Sequence, residues 1–87
     1  MKAKIDWNGI IMQITTEGQR IKFDFARCRC WMFRRFNTKA YNGGGESFSP
    51  IFSKKYDNEK AMCRDIASIC KVEKIACPAD VANILEA

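Results

Sequence analysis

Hydrophobic and polar positions alternate through the first third of the chain, and the alternation is interrupted where turn-forming residues fall. Lys2 to Trp7, then Asn8-Gly9, then Ile10 to Thr16 predict a hairpin, with Asn-Gly supplying the two positive φ values of a type I′ turn. Glu17-Gly18 marks a second reversal. After it Ile21, Phe23 and Phe25 alternate with Arg20, Lys22 and Asp24, a period of two that leaves one apolar face. The pattern is that of an antiparallel meander.

Past Phe25 the apolar residues move from odd to even positions. An unbroken strand would carry Arg27, Arg29, Trp31, Phe33 and Arg35 on the face of Ile21. Its other face would carry Ala26, Cys28, Cys30, Met32 and Arg34, the more core-like set. One extra residue exchanges the two faces of a strand, so a bulge or bend is expected near Ala26 and Arg27. A helix from Ala26 to Phe36, with Phe25, Cys28, Met32 and Phe36 as its stripe, is the competing reading.

Asn37 to Pro50 holds Gly43-Gly44-Gly45, Ser47, Ser49 and Pro50 and predicts a long mobile connection, followed by a short strand or anchoring contact at Ile51-Phe52-Ser53. Asp57 or Asn58 then caps a helix whose apolar stripe is Met62, Cys63, Ile66, Ile69 and Cys70. Continuing that stripe would draw Glu73 into it, so the helix is expected to end or bend between Cys70 and Lys74. Pro78, Asp80, Val81, Ile84 and Leu85 predict a second helix. The expected class is α+β: a three- or four-stranded antiparallel meander followed by two C-terminal helices packed on one sheet face. The whole of 1–87 is expected to be one domain, with a β-rich basic half at 1–53 and a helical half at 57–87.

Length and composition narrow the class. A chain of 87 residues with 47% hydrophobic and 29% charged positions has the make-up of one folded unit with one core. No apolar run approaches the roughly 18 to 20 residues that span a bilayer, and Met1 to Asp6 lacks the apolar stretch of a secretory signal. The expectation is an intracellular, cytoplasmic protein with no membrane partner. The net charge of +5 is not spread evenly. Lys2, Lys4, Arg20, Lys22, Arg27, Arg29, Arg34, Arg35 and Lys39 face only Asp6, Glu17 and Asp24 in the first half, whereas residues 46–87 are nearly balanced. No carboxylate interrupts the stretch from Arg27 to Lys39, and such a field attracts polyanions or acidic protein faces.

Candidate chemistry is sparse. Cys63, Cys70 and Cys77 recur every seven residues. Seven residues of helix rise about 10.5 Å, too far for thiolates that must lie within about 4 Å of each other on one zinc. With no histidine to complete a mixed site, no metal is expected, and the odd count of five cysteines reads as free, mostly buried thiols. Were Cys28 or Cys30 exposed, Arg27 and Arg29 would favour the reactive thiolate. The carboxylates are scattered, and Gly43-Gly44-Gly45 lacks the Lys-Ser/Thr continuation of a phosphate loop, so neither catalysis nor a cofactor is expected.

The sharpest feature is Arg27, Arg29, Trp31, Phe33, Arg34 and Arg35, with Lys39 and Tyr41 beyond. Guanidinium groups alternating with flat rings suit phosphate contact plus base stacking. They suit an acidic protein face equally. The competing view makes Trp31 and Phe33 core residues with arginines reaching out at the edge.

Three strands, the third bearing Arg29 and Trp31, followed by a helix resemble in topology the sheet-plus-helix DNA-binding domains of recombinase arm-binding modules and plant ethylene-response factors, over roughly residues 5 to 70. That resemblance implies a sheet facing nucleic acid. The same order is similar to the later part of a double-stranded RNA-binding domain. In size and lack of motifs the chain also resembles the small inhibitors of phages and mobile elements, such as anti-CRISPR proteins. The expected function is a small basic binding module for nucleic acid. The alternative is a phage or mobile-element inhibitor that blocks a nucleic-acid-handling complex by protein contact.

Overall fold

The computed structural model describes residues 3–37 and 46–87, with the side chains of residues 35–37 and 46–47 outside that description. Five strands form one antiparallel sheet in the order of the chain: β1 (Lys4–Trp7), β2 (Ile11–Thr15), β3 (Gln19–Asp24), β4 (Arg29–Asn37) and β5 (Glu46–Lys55). Two helices follow, α1 (Glu59–Glu73) and α2 (Ala79–Glu86). The α+β meander with two C-terminal helices is therefore present, with five strands where three or four were expected.

The turns differ in mechanism from the simplest reading. At Asn8-Gly9 only Gly9 has positive φ, so the connection is not a type I′ turn. Asn8 instead uses its side chain: Oδ1 accepts from the N–H groups of Ile10 at 2.9 Å and Ile11 at 2.8 Å, which closes a longer loop. Thr16 N–H donates to the Gln19 carbonyl at 2.8 Å around Glu17-Gly18, as expected of a reversal there.

The bend expected near Ala26 and Arg27 is present and is carried to a complete reversal, with neither a bulge nor a helix there. Residues 25–28 form a turn, and β4 runs back along β3 with Asp24 opposite Arg29, Lys22 opposite Trp31 and Arg20 opposite Phe33. Asp24 closes this turn. Its Oδ1 accepts from the N–H groups of Ala26 at 3.0 Å and Arg27 at 3.1 Å, and its Oδ2 accepts from the Arg27 guanidinium at 2.8 Å. Hydrogen bonding to Arg27, foremost that guanidinium contact, holds the Asp24 carboxyl below its usual range. Cys28 completes the reversal with φ 54, a left-handed conformation uncommon for a residue with a Cβ.

The expected long connection is shorter than predicted. Asn37 closes β4, and Glu46–Pro50 belong to β5 together with Ile51–Lys55. Pro50 lacks an N–H and would break an interior strand, but β5 is an edge with one unpaired side. The pairing slips between Met32 opposite Phe52 and Phe33 opposite Pro50, leaving Ile51 as the extra residue of a bulge. The glycine hinge predicted at Gly43-Gly44-Gly45 lies outside the described residues.

One sheet face carries the core. Met12, Ile14, Ile21, Phe23 and Cys30 pack with Met62, Cys63, Ile66 and Cys70 of α1 and Val81 of α2, all of them buried. Burying each large apolar side chain contributes on the order of 1.5–3 kcal/mol, so the α1 stripe is a principal source of stability. Asn58 caps α1 by accepting from the Ala61 N–H at 2.8 Å. Lys74, in the left-handed conformation, ends it, and Ile75 N–H donates to the Cys70 carbonyl at 3.0 Å. The helix ends at Glu73, within the expected interval, and Glu73 itself stays exposed. α2 begins after Pro78 and is tied to the opposite end of the chain, with Trp7 Nε1–H donating to Asp80 Oδ2 at 2.8 Å.

Candidate functional site

With the helices on one side, the other sheet face presents the residues that alternate with the core. The strand register aligns them into rows. Gln13, Lys22, Trp31 and Ser53 are successive partners across β2 to β5, and Thr15, Arg20, Phe33 and Pro50 form the next row. Asp24, Arg29 and Lys55 form a third. No helix residue joins this face among the described residues.

Cations and rings interleave on it. The Arg20 guanidinium lies 4.0 Å above the centroid of the Phe48 ring, so a β3 side chain crosses β4 to reach β5. Lys22 Nζ lies 5.8 Å from the Trp31 ring. Arg20 Nε also donates to Thr15 Oγ1 at 3.4 Å, which fixes the side chain from its other flank. Trp31 and Phe33 are half-buried. They are neither core residues nor loose surface side chains. Gln13, Arg20, Lys22, Phe33 and Phe48 surround a shallow depression of about 220 Å³.

The residues predicted for the site divide. Arg29, Trp31 and Phe33 share the open face. Arg27 does not lie on a strand. It sits in the β3–β4 turn, paired at 2.8 Å with Asp24 while its own side chain is 75% exposed. Arg34 is exposed but alternates with Phe33, on the same side as Cys30 and Met32. Arg35 is placed on β4 opposite Phe48 by its backbone, and its side chain lies outside the described residues, as do Lys39 and Tyr41 altogether. Sequence reasoning missed Gln13, Arg20, Lys22 and Phe48 as partners of this stripe. The period-two pattern already put Arg20 and Lys22 opposite Ile21 and Phe23. Only the β3–β4 register brings them beside Trp31 and Phe33.

A second surface lies on the helix side, where α1 leaves the outer strands uncovered. Two adjoining depressions of about 300 and 280 Å³ share Ile21, Met32, Ser68 and Ile69, with Phe52 at one end and Val72 at the other. Phe52 is 51% and Val72 75% exposed. At its polar end Tyr56 O–H donates to Asp65 Oδ2 at 2.7 Å, and Lys54 Nζ lies 3.7 Å from the same oxygen. Burial, followed by the bond to Asp65, pushes the Tyr56 hydroxyl well above its ordinary value, so it serves as a fixed donor.

Cys28, Cys30, Cys63 and Cys70 pack in or against the core, and Cys77 is exposed. Cys30, Cys63 and Cys70 are buried and Cys28 is half-buried. Burial raises the Cys28 thiol despite its arginine neighbours, and pushes Cys63 up to about 11 and Cys70 up to about 12, with a contact from Cys77 adding to the latter. The activation by flanking arginines that exposure would have allowed therefore does not arise at Cys28.

No known protein family, curated protein or solved structure matches the chain. The resemblance to three-stranded DNA-binding domains also weakens on geometry, because the strand bearing Arg29 and Trp31 is the fourth of five. No described helix is long and apolar enough to cross a membrane.

Proposed function

We propose that this protein is a small non-catalytic module that binds nucleic acid on the open face of its sheet. One observation carries the reading: Arg20 over Phe48 and Lys22 beside Trp31 interleave cations with rings on a face that no described helix covers. Cations on such a face neutralise phosphates and release counterions, while each base stacked on a ring adds about 1–3 kcal/mol. Arg29 and Lys55, paired across β4 and β5, extend the positive field along the same face. The test is a fluorescence-anisotropy titration against labelled DNA and RNA at two salt concentrations. Micromolar or tighter binding that weakens with salt supports the reading, and no binding at low salt removes it.

The alternative is an inhibitor of phage or mobile-element type that acts by protein contact on a nucleic-acid-handling complex. Its own observation is the apolar groove from Phe52 to Val72 on the helix side, a kind of surface that marks protein interfaces. Under that reading the isolated protein ignores free DNA and RNA.

A further inference from the structure

The depression on the open face is smaller than the roughly 300–1,000 Å³ of sites that hold drug-sized ligands. Its lining comes from four strands: Gln13 of β2, Arg20 and Lys22 of β3, Phe33 of β4 and Phe48 of β5. The Phe33 ring supplies an apolar surface, the Phe48 ring lies beneath the Arg20 guanidinium, and Gln13 and Lys22 complete the lining. We propose that this depression receives one unpaired guanine of a single-stranded nucleic acid, a proposal that rests on the nucleic-acid reading of the face.

The base must be unpaired because a duplex hides base faces within its stack and offers only edges in its grooves. Rings set in a sheet surface therefore meet a base only when it is turned out of a helix or belongs to a single strand. Guanine follows from the donor and acceptor inventory. Arg20 and Lys22 are donors without acceptor capacity, whereas the Gln13 amide both donates and accepts. Guanine presents O6 and N7 as acceptors to the cations, and its amino group donates to the Gln13 oxygen. Adenine brings an amino donor toward two cations, and a pyrimidine covers less of the rings. Arg20 is already held in place between Thr15 and the Phe48 ring, so little side-chain freedom is lost on binding.

The experiment uses short uridine strands carrying one central guanosine or one central adenosine, their deoxy counterparts, and the duplex of each. The guanosine strand is expected to bind at least about fivefold tighter than the adenosine and all-uridine strands and tighter than any duplex. Comparing ribose with deoxyribose assigns the strand to RNA or DNA. Gln13→Ala, confirmed folded by circular dichroism, should level guanosine with adenosine while the salt dependence survives. Lys22→Ala is the second variant and should reduce both. Equal binding of guanosine and adenosine strands, or a duplex bound as tightly as the single strand, overturns the pocket and leaves the nucleic-acid reading standing. Failure of every strand and duplex to bind overturns both.

Discussion

Arg20 spans a whole strand to lay its guanidinium 4.0 Å above the ring of Phe48, which couples the third strand to the fifth across the face of the fourth. Cation and ring are thus assembled before any ligand arrives. Substituting Arg20 by Ala removes the cation that covers the ring. On the nucleic-acid reading of the face, the slope of log binding constant against log salt should fall by about 0.7–0.9 for each of Arg29→Ala and Lys55→Ala, which lie outside the lining of the depression. Arg27→Ala should leave that slope unchanged, because Arg27 lies in the turn paired with Asp24. An equal loss of slope for Arg27→Ala would mean that the turn belongs to the interface.

Trp31, paired with Lys22 across the strands, is the ring proposed to stack on a base. Trp31→Ala is expected to weaken single-strand binding by about 1–3 kcal/mol at every salt concentration, leaving the slope intact. Thermal unfolding of the same variant separates this from a folding defect. A melting temperature that collapses together with binding would return Trp31 to a structural role.

Asp24 is expected to make the protein sensitive to acid. Hydrogen bonds in the folded state lower its carboxyl below the ordinary value of 3.8. A group depressed in this way contributes stability that is whole above its unfolded value and is lost as pH falls through the folded one. Stability should therefore decline below about pH 4 more steeply in the wild type than in Asp24→Asn. Denaturant melts of both proteins between neutral pH and pH 3 give the comparison, and parallel curves would exclude Asp24 as the source.

The buried thiols predict the opposite edge of the stability profile. Cys63 and Cys70 are raised from an ordinary value of 9.0 to about 11 and about 12. Their stabilising contribution is complete below pH 9 and disappears as pH rises through the folded values. The melting temperature should fall between pH 9 and pH 11, and Cys63→Ala should flatten that fall. At neutral pH a thiol reagent should modify exposed Cys77 first and reach Cys30, Cys63 and Cys70 only on unfolding. Rapid native labelling of Cys63 would contradict the packing.

Ile66 sits wholly buried between α1 and the sheet. Ile66→Ala should cost about 2–5 kcal/mol, a large part of the roughly 5–15 kcal/mol that stabilises a typical small domain. A urea melt measures the loss, and a change under 1 kcal/mol would mean that α1 is not docked as described.

By itself the sequence determined the class of fold, because that information is local. Alternation around Asn8-Gly9 and Glu17-Gly18 specified strands, and Asn58, the stripe from Met62 to Cys70 and Pro78 specified two helices and where each begins. The charge of Arg29 and the rings of Trp31 and Phe33 were legible as a stripe for the same reason. Tertiary structure decided what depends on pairing between distant segments. The reversal at residues 25–28 leaves no glycine in the sequence to announce it, since Asp24 supplies the closing bonds and Cys28 takes the left-handed conformation. β5 was hidden because Ser47, Ser49 and Pro50 are poor strand formers, tolerated here on an edge beside a long partner. The candidate site arises only when the register sets Lys22 against Trp31 and brings Arg20 across to Phe48. No local pattern encodes which residues will face one another across a sheet. That is settled by the one alignment that buries Met12, Phe23 and Cys30 beneath α1.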